Sequence, residues 1–504
     1  MELGNDMKKQ LTLTVLILMV ALCAWPATAQ TAVYHANLLG ISDGRTSLQV
    51  ELPVSLNRWG QVIGTYGGGL SAGTHAVLWS PNVANDGFSA GTQFQNESSP
   101  GMPTGTASTY VSGINDRGQV VGQAYTPGLG DGNQLQSWMW RPTTLNSTKG
   151  VLHGNSGKTT AFALVSVGSA ASQYNQQINN KGAISAHGYN YYPMLWTPTT
   201  LNGTSGTWTF DTNHSAGPSA INDAGQIAGN SCTSSVWNGP YLHTGVFPPL
   251  ADSDVLSSPL WIPPTAQECV GGVGGINSKG HLAITAVSSS TGGGIHAYLY
   301  KNGAAVDLSP TVTNGAVASG YSINSFDQVV GYMDSDTRRA TLFQGGQAID
   351  LNTINDSING LLLRYALSIN ASGQILAQGV YPGCCTASIL LTPNALVTNP
   401  VLVTVGPMQI QGTKYSQTVT VQNQGTTTIT GPISVALDLL TPGVVLTNKT
   451  GKTVYSGPGS VYANVSSGDL TAGSTTAAFT LVFSNPQLKT ITYSARVLGS
   501  AAPR

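Results

Sequence analysis

One arrangement of apolar and polar residues recurs seven times along the chain. Each copy has an apolar residue, then Asn-x-x-Gly with some drift, and then a run that is apolar or alternates, as in the stretch from Ile114 to Gly122. Such a pattern predicts a β-hairpin, because Asn enters turns readily and Gly adopts the positive φ that a tight turn needs. The repeated asparagines are Asn57, Asn115, Asn179, Asn222, Asn277, Asn324 and Asn370.

The spacing of the copies indicates what they build. Successive asparagines are 58, 64, 43, 55, 47 and 46 residues apart, which is the length of a propeller blade rather than of a solenoid turn. A large apolar residue, often followed by Pro, comes 17 to 39 residues after each Asn and predicts a third strand. These residues are Trp79, Trp140, Trp196, Trp261, Tyr300, Phe343 and Leu391.

Further strands complete the predicted units. Val306 to Leu308 and Ile349 to Leu351 indicate a fourth strand in the later copies. Seven units of four strands make an all-β chain with a seven-bladed β-propeller over residues 31–397. The stretch from Ala32 to Leu39 precedes the first copy, so we expect it to complete the last blade and close the ring. The alternative is an open stack of hairpins.

After Pro400 the repeat stops and a different strand pattern begins. Residues 398–504 hold short Thr- and Val-rich strands separated by turn residues such as Asn423 to Gly425. About seven short strands in that length are typical of a β-sandwich. This part resembles the immunoglobulin-like or fibronectin-like accessory modules of secreted bacterial proteins.

The repeats themselves resemble the extracellular HAF repeat family. Its His-Ala-Phe step is matched by His75-Ala76 and His296-Ala297, and the resemblance covers roughly residues 50 to 395. At the equivalent positions Ser137, Tyr192 and Arg339 replace the His, which excludes an essential catalytic His in every copy. The resemblance implies a secreted, mostly bacterial, propeller-like protein and carries no established chemistry.

The N-terminus reads as an export signal. Lys8 and Lys9 precede an apolar run from Leu11 to Ala24, and Ala27-Thr28-Ala29 has the small-x-small form of a cleavage site. The run is shorter than the roughly 20 residues that span a bilayer. We therefore predict a signal peptide at residues 1–30, a secreted or cell-surface protein, and no membrane span after cleavage.

Four cysteines remain in the mature chain. Cys232 and Cys269 are the natural long-range pair, and a disulfide between them would close a loop of about 36 residues. Cys384 and Cys385 are adjacent, so they stay free or each pairs elsewhere. All three possible pairings remain open at the level of sequence.

The charge balance and the spacing of the His and Asp residues limit the kinds of ligand and reaction to expect. Lys and Arg number 20 against 21 Asp and Glu, which leaves no basic surface for nucleic acid. The eight histidines show no zinc-site spacing, and the Asp334-x-Asp336 pair lacks further oxygen ligands nearby in sequence. We predict no catalytic residues, no metal and no cofactor. Asp116 and Asp223 lie in the repeated turns, and Asp307 and Asp350 at matching fourth-strand positions, where structural roles explain them.

Tyrosines supply the candidate binding residues. They follow the second-strand segment, at the start of the loop that varies most in length between copies, and variable loops on a rigid scaffold often bind ligands. Aromatic rings there could stack on sugars, or they could fill gaps between blades. The candidates are Tyr66, Tyr125, Tyr189, Tyr332 and Tyr381.

Three functions fit these features. The favoured hypothesis is a non-catalytic exported binding or cell-surface protein, with a glycan or cell-surface component as partner. The first alternative is a polysaccharide-active enzyme, a lyase or glycoside hydrolase, acting on the variable-loop face. Carboxylates or a His-Tyr pair converging at the channel mouth would favour the enzyme. A structural envelope protein is the second alternative.

Overall fold

The computed structural model shows an all-β chain. Two 3-10 turns, Asp252–Asp254 and Leu351–Thr353, interrupt the strands of the described part. The residues described are 33–39, 53–66, 75–81, 92–93, 108–126, 134–145, 147–154, 176–187, 193–211, 213, 217–232, 238–247, 249–262, 272–289, 293–312, 316–334, 337–356, 360–383, 386–397, 399–500 and 502–504.

Twenty-eight strands form the repeat region. They are β1 (Tyr34–Leu38), β2 (Pro53–Leu56), β3 (Val62–Tyr66), β4 (His75–Trp79), β5 (Thr92–Gln93), β6 (Ser108–Ile114), β7 (Val120–Thr126), β8 (Gln134–Pro142), β9 (Gly150–Gly154), β10 (Gln177–Ile178), β11 (Ile184–His187), β12 (Pro193–Pro198), β13 (Gly206–Phe210), β14 (Gly217–Ile221), β15 (Ile227–Cys232), β16 (Asn238–His243), β17 (Trp261–Ile262), β18 (Gly272–Ile276), β19 (Leu282–Ser288), β20 (Ile295–Lys301), β21 (Ala304–Asp307), β22 (Val317–Ile323), β23 (Val329–Asp334), β24 (Arg338–Gln344), β25 (Gln347–Asp350), β26 (Leu362–Ile369), β27 (Ile375–Val380) and β28 (Thr386–Pro393).

These strands form seven units, which we number by their asparagines from Asn57 to Asn370. Units one, two and three are four-stranded antiparallel sheets, β2 to β5, β6 to β9 and β10 to β13. Unit four has β14 to β16, and units five and six are joined by a parallel pairing of β20 with β22 at Ile295 and Val317. Unit seven has β26, β27 and β28, and its fourth strand is β1.

The N-terminal strand therefore lies where the sequence predicts it. β1 pairs antiparallel with β28, with Tyr34 opposite Pro393 and Leu38 opposite Ile389. Asp356 accepts hydrogen bonds from the backbone N–H of Ala36 and pairs with the His35 ring. Asp356, 320 positions after Ala36 in sequence, thus helps to hold β1 in place beside β28.

One predicted strand is wrong. The sequence pattern assigns Trp261 to the third strand of unit four, but that strand is β16, which pairs along its length with β15. Trp261 instead pairs with Ser288 of β19 in unit five, and its ring meets Tyr298 edge to face at 5.6 Å. The third strand, β16, follows β15 after five residues and has His243 opposite Ile227, at the register where Trp79 and Trp140 stand in units one and two. The Trp-Ile-Pro step farther along the chain therefore misleads the spacing argument.

Each unit turns between its first two strands at the repeated asparagine. The N–H of Gly118 donates to the carbonyl of Asn115, and Gly118 has a φ of 77°. The turns of the other units follow the same pattern, except that unit six has Asp327, with a φ of 64°, in place of Gly. A left-handed Asp is tolerated because its short polar side chain bonds locally.

The asparagine side chains link all seven units in one closed cycle. The Nδ2 of each Asn donates to the backbone carbonyl of the Asn in the next unit at 2.9 to 3.1 Å, and Asn370 of unit seven donates to Asn57 of unit one. The Oδ1 of each accepts two N–H groups of its own turn, as Asn115 accepts those of Arg117 and Gln119. All seven asparagines are 3 to 5% exposed.

A second residue of the motif accepts the remaining hydrogen bond of the asparagine amide. In five units the Gln four residues after the Asn accepts the remaining N–H of the amide, as Gln119 does from Asn115 at 2.8 Å. Unit five has His281 instead, and there Asp327 of unit six accepts from Asn277 at 2.8 Å and pairs with the His281 ring at 2.9 Å. The unusual Asp of one turn thus replaces the missing Gln of its neighbour.

The acidic turn residues have a role across units. Asp116 accepts from the backbone N–H of Arg58, and Asp223 accepts from that of Asn180. The Nδ2 of Asn180 donates to both carboxylates at 2.9 Å. Their structural role was expected, but it lies between neighbouring turns rather than within one.

Residues 399–504 form two further sheets. Five strands, β29 to β31, β33 and β36, make one sheet, and β32, β34, β35 and β37 make the other. One apolar cluster joins the two, including Val421, Val435 and Phe483. The strands are β29 (Val401–Val405), β30 (Gln409–Gln411), β31 (Lys414–Asn423), β32 (Ile433–Asp438), β33 (Val445–Leu446), β34 (Gly451–Lys452), β35 (Val461–Ser466), β36 (Phe479–Ser484) and β37 (Ser494–Leu498).

A loop of this C-terminal part contacts the turns of units six and seven. The Tyr455 ring lies 6.2 Å from that of Tyr34, and the Tyr455 carbonyl accepts from Gln328 Nε2 at 3.4 Å. A Cβ at Gly373, in the turn of unit seven, would be 2.4 Å from the same carbonyl. The C-terminal sheets therefore sit at the turn end of these units.

Two predictions fall partly or wholly on residues outside the described part. Cys232 ends β15, whereas Cys269, Cys384, Cys385 and the proposed signal peptide lie outside it, so the disulfide and the export signal stay predictions. In the ranges described, no helix has the length and apolar character needed to cross a membrane.

The asparagine cycle can be tested by breaking it at its closing bond. Asn370→Ala leaves the Asn57 carbonyl and two N–H groups of its own turn without their partner, so we expect a loss of about 2 to 4 kcal/mol in the free energy of unfolding. Asn115→Ala should cost a similar amount, and the exposed Asn213→Ala should change little. A much smaller loss for Asn370 than for Asn115 in urea denaturation would favour an open stack.

Asp327 of unit six supplies the hydrogen bond that the Gln at position 281 would make, so we expect the effects of mutating Asp327 and His281 on stability to be coupled. Asp327→Gly removes a strained φ but leaves Asn277 and His281 without their carboxylate partner. Adding His281→Gln then restores the Asn–Gln hydrogen bond found in the other units. In a double-mutant cycle we expect a favourable coupling of about 1 to 2 kcal/mol between the two changes. Thermal and urea unfolding of the four proteins measure it, and additive effects would contradict the compensation.

Candidate functional site

The predicted tyrosines do not occupy one equivalent position. Tyr66 is the fifth residue of β3, Tyr125 the sixth of β7 and Tyr332 the fourth of β23, while Tyr381 follows the end of β27. Tyr189 lies outside the described residues. Because side chains alternate along a strand, differing offsets do not build one matched row.

Burial separates the two tyrosines whose side chains are described. Tyr381 is half-buried and packs against the core of the closing sheet. Tyr332 is 9% exposed, and its ring borders a cavity. Of the predicted residues, the structure therefore places Tyr332 at a concave site.

This cavity lies between units five and six and has a volume of about 340 Å³. It is at the end where β18 and β22 begin and β19 and β23 finish, opposite the asparagine turns. Its lining consists of Gly272, Val273, Gly274, Thr285, Ile295, Val317, Ser319, Gly320, Tyr321 and Tyr332.

A repeated bulge brings Tyr321 into the cavity. The first strand of six units shifts register three residues before the Asn, so that one residue there has no partner across the strand pair. A bulge bends the strand and re-aims the side chain of the extra residue. In unit two that residue is Ser112, in unit five Gly274, and in unit six Tyr321, the one aromatic side chain among the six bulges.

Gly274 is required for this arrangement. A Cβ at Gly274 would lie 2.3 Å from the Gly320 carbonyl oxygen and 2.8 Å from the Cα of Tyr321. The bulges of units five and six therefore approach each other backbone to backbone. Without a side chain at Gly274, the Tyr321 ring has room beside it.

Tyr321 belongs to a cluster of aromatic rings around one arginine. The Tyr321 and Tyr332 ring centroids are 5.6 Å apart, and the Tyr332 and Tyr365 centroids are 5.5 Å apart in an edge-to-face arrangement. The Arg338 guanidinium carbon lies 5.2 Å from the Tyr332 ring centre and 5.5 Å from that of Tyr365. These are cation–π distances.

Polar groups also contact the N–H groups of the Arg338 guanidinium. Its Nη1 donates to the Tyr365 hydroxyl, and its Nε lies 3.4 Å from an oxygen of Asp334. The side chains of Arg338 and Asp334 are 45% and 32% exposed. The guanidinium is thus fixed in direction at the protein surface, next to the cavity.

Burial keeps Tyr321 neutral. Loss of hydration raises the pKa of Tyr321 to about 12, and the neighbouring Tyr332 and Tyr365 add to the rise, which Arg338 partly offsets. The hydrogen bond to Tyr365 raises the pKa of Arg338 further. At neutral pH the cluster therefore presents neutral phenols beside one permanent positive charge.

The described lining of the cavity lacks the carboxylates and histidines that a glycosidase or a metal site would use. None of its ten lining residues is a carboxylate or a histidine. Across the described ranges, no group of three or more His, Cys, Asp or Glu could hold a metal ion. Asp307 pairs with His296 at 2.8 Å, and Asp350 pairs with Arg339 at 3.4 Å; these contacts fit the structural roles that the sequence predicts for the two aspartates.

Sequence reasoning missed Tyr321, Tyr365 and Arg338. Tyr321 could have been found, because it is the one aromatic residue three positions before a repeated Asn. The other units have Val54, Ser112, Gln176, Ser219, Gly274 and Leu367 there. Arg338 and Tyr365 carry no such signal, since their meeting depends on how units six and seven pack.

The protein shows only weak similarity to known proteins. No family model matches the chain, and no curated protein matches it. Among solved structures it is similar to a fungal alcohol oxidase of the AA5 family in complex with copper, at 11% identity over 90% of this chain and 99% of that one, with a TM-score of 0.29. A PL25 ulvan lyase is similar at 10% identity over 79% of this chain and 92% of that one, with a TM-score of 0.31. Likeness this weak carries no conclusion about fold or activity.

The neutral Tyr321 predicts a specific alkaline response. Its pKa is near 10 in the unfolded chain and about 12 in the folded one, so the stability it contributes is present below pH 10 and is lost as the pH rises towards 12. We expect the melting temperature of Tyr321→Phe to fall less between pH 9 and 11 than that of the wild type. The 295 nm difference absorbance of the two folded proteins should stay flat to about pH 11; a step near pH 10 would contradict the burial of the phenol.

Proposed function

We propose that the protein is an exported glycan-binding protein, built as a seven-bladed β-propeller with a C-terminal immunoglobulin-like sandwich. The closed cycle of seven asparagines supports the seven-membered ring. The two sheets around one apolar core support the sandwich. The signal-peptide pattern and the resemblance to the HAF repeat family support export.

The ligand face is the one opposite the asparagine turns. The Tyr455 loop of the C-terminal part already contacts the turns of units six and seven. The cavity between units five and six lies at the other end of the strands. A ligand and the C-terminal sheets can therefore occupy opposite ends of the repeat region.

The observation that carries the proposal is the pair Tyr321 and Tyr332 at this cavity. Sugars present an apolar C–H face that packs on aromatic rings and a rim of hydroxyls that need hydrogen-bonding partners. Thr285 and Ser319 line the same cavity; their hydroxyls hydrogen-bond to each other at 2.9 Å, and each hydroxyl keeps capacity for a further hydrogen bond. Stacking surface and polar groups thus occur together, as a carbohydrate subsite requires.

Binding is favoured over catalysis at this site. A glycosidase needs two carboxylates across the scissile bond, and the cavity lining has none. Tyr321, with its raised pKa, is also a poor general base near neutral pH.

Glycan-array binding followed by calorimetry tests the proposal. Each stacking ring contributes on the order of 1 kcal/mol, so Tyr321→Ala combined with Tyr332→Ala should weaken binding at least tenfold. Tyr321→Phe keeps the ring and should keep most of the affinity.

Two controls make the result interpretable. Tyr300→Ala removes a half-buried tyrosine that lies by Trp261, away from the cavity, and should leave affinity unchanged. Tyr381→Ala tests whether the wider set of tyrosines takes part. If no glycan binds, or if the double variant binds as the wild type does at matched thermal stability, the assignment of this site is wrong.

A further inference from the structure

The cavity has a neighbouring group that a neutral sugar would not use. Arg338 stands on the side of Tyr332, and its charge is 45% exposed although three side chains position it. Its guanidinium carbon lies within cation–π distance of the rings of both Tyr332 and Tyr365. Such stacking fixes the plane of the guanidinium and lowers the entropy lost when it binds a ligand.

The contacts of Arg338 leave part of its fork available. Nε is used by Asp334 and one N–H of Nη1 by the Tyr365 hydroxyl. Among the contacts of the described residues, none involves Nη2. The planar edge formed by Nη1 and Nη2 matches two oxygens of a carboxylate or a sulfate.

We propose that Arg338 binds the anionic group of an acidic sugar whose neighbouring residue in the glycan occupies the Tyr321 and Tyr332 cavity. This inference rests on the proposed glycan-binding function and names its ligand class, a carboxylated or sulfated polysaccharide. Tyr332 joins the two subsites, because its ring lines the cavity and lies 5.2 Å from the guanidinium carbon.

Asp334 acts against the ligand in this arrangement. Its carboxylate, at 3.4 Å from Nε, partly offsets the charge of Arg338 and repels an approaching anion. Asp334 therefore makes the site selective for ligands that also fill the cavity, since a lone anion gains too little. Removing its charge should strengthen the binding of acidic glycans and leave neutral ones unaffected.

The test uses the full chain and a panel of paired ligands. Oligosaccharides of galacturonate, glucuronate and mannuronate are each compared with their carboxyl-reduced neutral forms, and sulfated galactose oligomers form a third arm. We expect the wild type to bind at least one acidic oligosaccharide tenfold or more tightly than its reduced form, with a preference that weakens as salt is raised. If only the sulfated galactose oligomers bind tightly, the anion that Arg338 binds is a sulfate.

Four variants separate the roles of the residues. Arg338→Gln should abolish the acidic preference, so that the acidic and reduced forms bind with the same affinity. Arg338→Lys should keep the preference only in part, because an ammonium cannot form the fork. Asp334→Asn should increase the preference. Arg58→Gln is the matched control, because Arg58 is also exposed and stacked on an aromatic ring, Trp59, but at the turn end.

The outcomes distinguish the two proposals. If glycans bind but the acidic and reduced forms bind equally, or if Arg338→Gln keeps the preference, the role of Arg338 is wrong while the glycan site stands. If no ligand of the panel binds, the proposed function fails and this inference fails with it. Circular dichroism and melting temperatures of each variant show that a loss of preference is not a loss of fold.

Discussion

The buried asparagine amide is the constraint on which the repeat region depends. Each amide has two N–H donors and an oxygen with two lone pairs, and in five units all four are used: two turn N–H groups, one carbonyl of the next unit and one Gln of its own. A buried amide that lost any of these partners would destabilise the fold. One side chain thus fixes a turn and joins neighbouring units at the same time, which explains why Asn recurs while the residues around it drift.

This constraint also explains where variation is possible. Ala183 and His281 stand where other units have Gln, and in the second case Asp327 of the next unit takes over the hydrogen bond. The substitution costs a left-handed φ at Asp327, a strain that the three partners of its carboxylate, Asn277, His281 and Lys279, offset. The replacement of Gln by His281 is therefore compensated by a residue of the adjacent unit.

The sequence predicts the local elements well and the contacts between units poorly. The hairpins, most third strands and the pairing of the N-terminal strand follow from period, turn chemistry and strand composition, which act over a few residues. The prediction for Trp261 is wrong because the third strand of unit four has His243 where the other units have a large apolar residue, so the pattern points to Trp261 of the next sheet. The cavity was missed because it forms where Gly274 of one unit meets Tyr321 of the next, 47 residues later in the chain. Only one of the five predicted tyrosines, Tyr332, lies at that cavity in the described part.

The candidate site follows from the same geometry that builds the scaffold. In six units the bulge before the Asn leaves one residue unpaired across the strand pair, so its side chain can vary where the neighbouring unit gives it room. Units two and four have Ser at this position, which stays small, and unit five has Gly, which makes room. Unit six places Tyr321 beside that room, and the stacking of Tyr332, Tyr365 and Arg338 gives the ring fixed neighbours. Divergence at this bulge position can therefore create a ligand subsite, and in the described part of the chain a bulge Tyr faces a bulge Gly at the junction of units five and six.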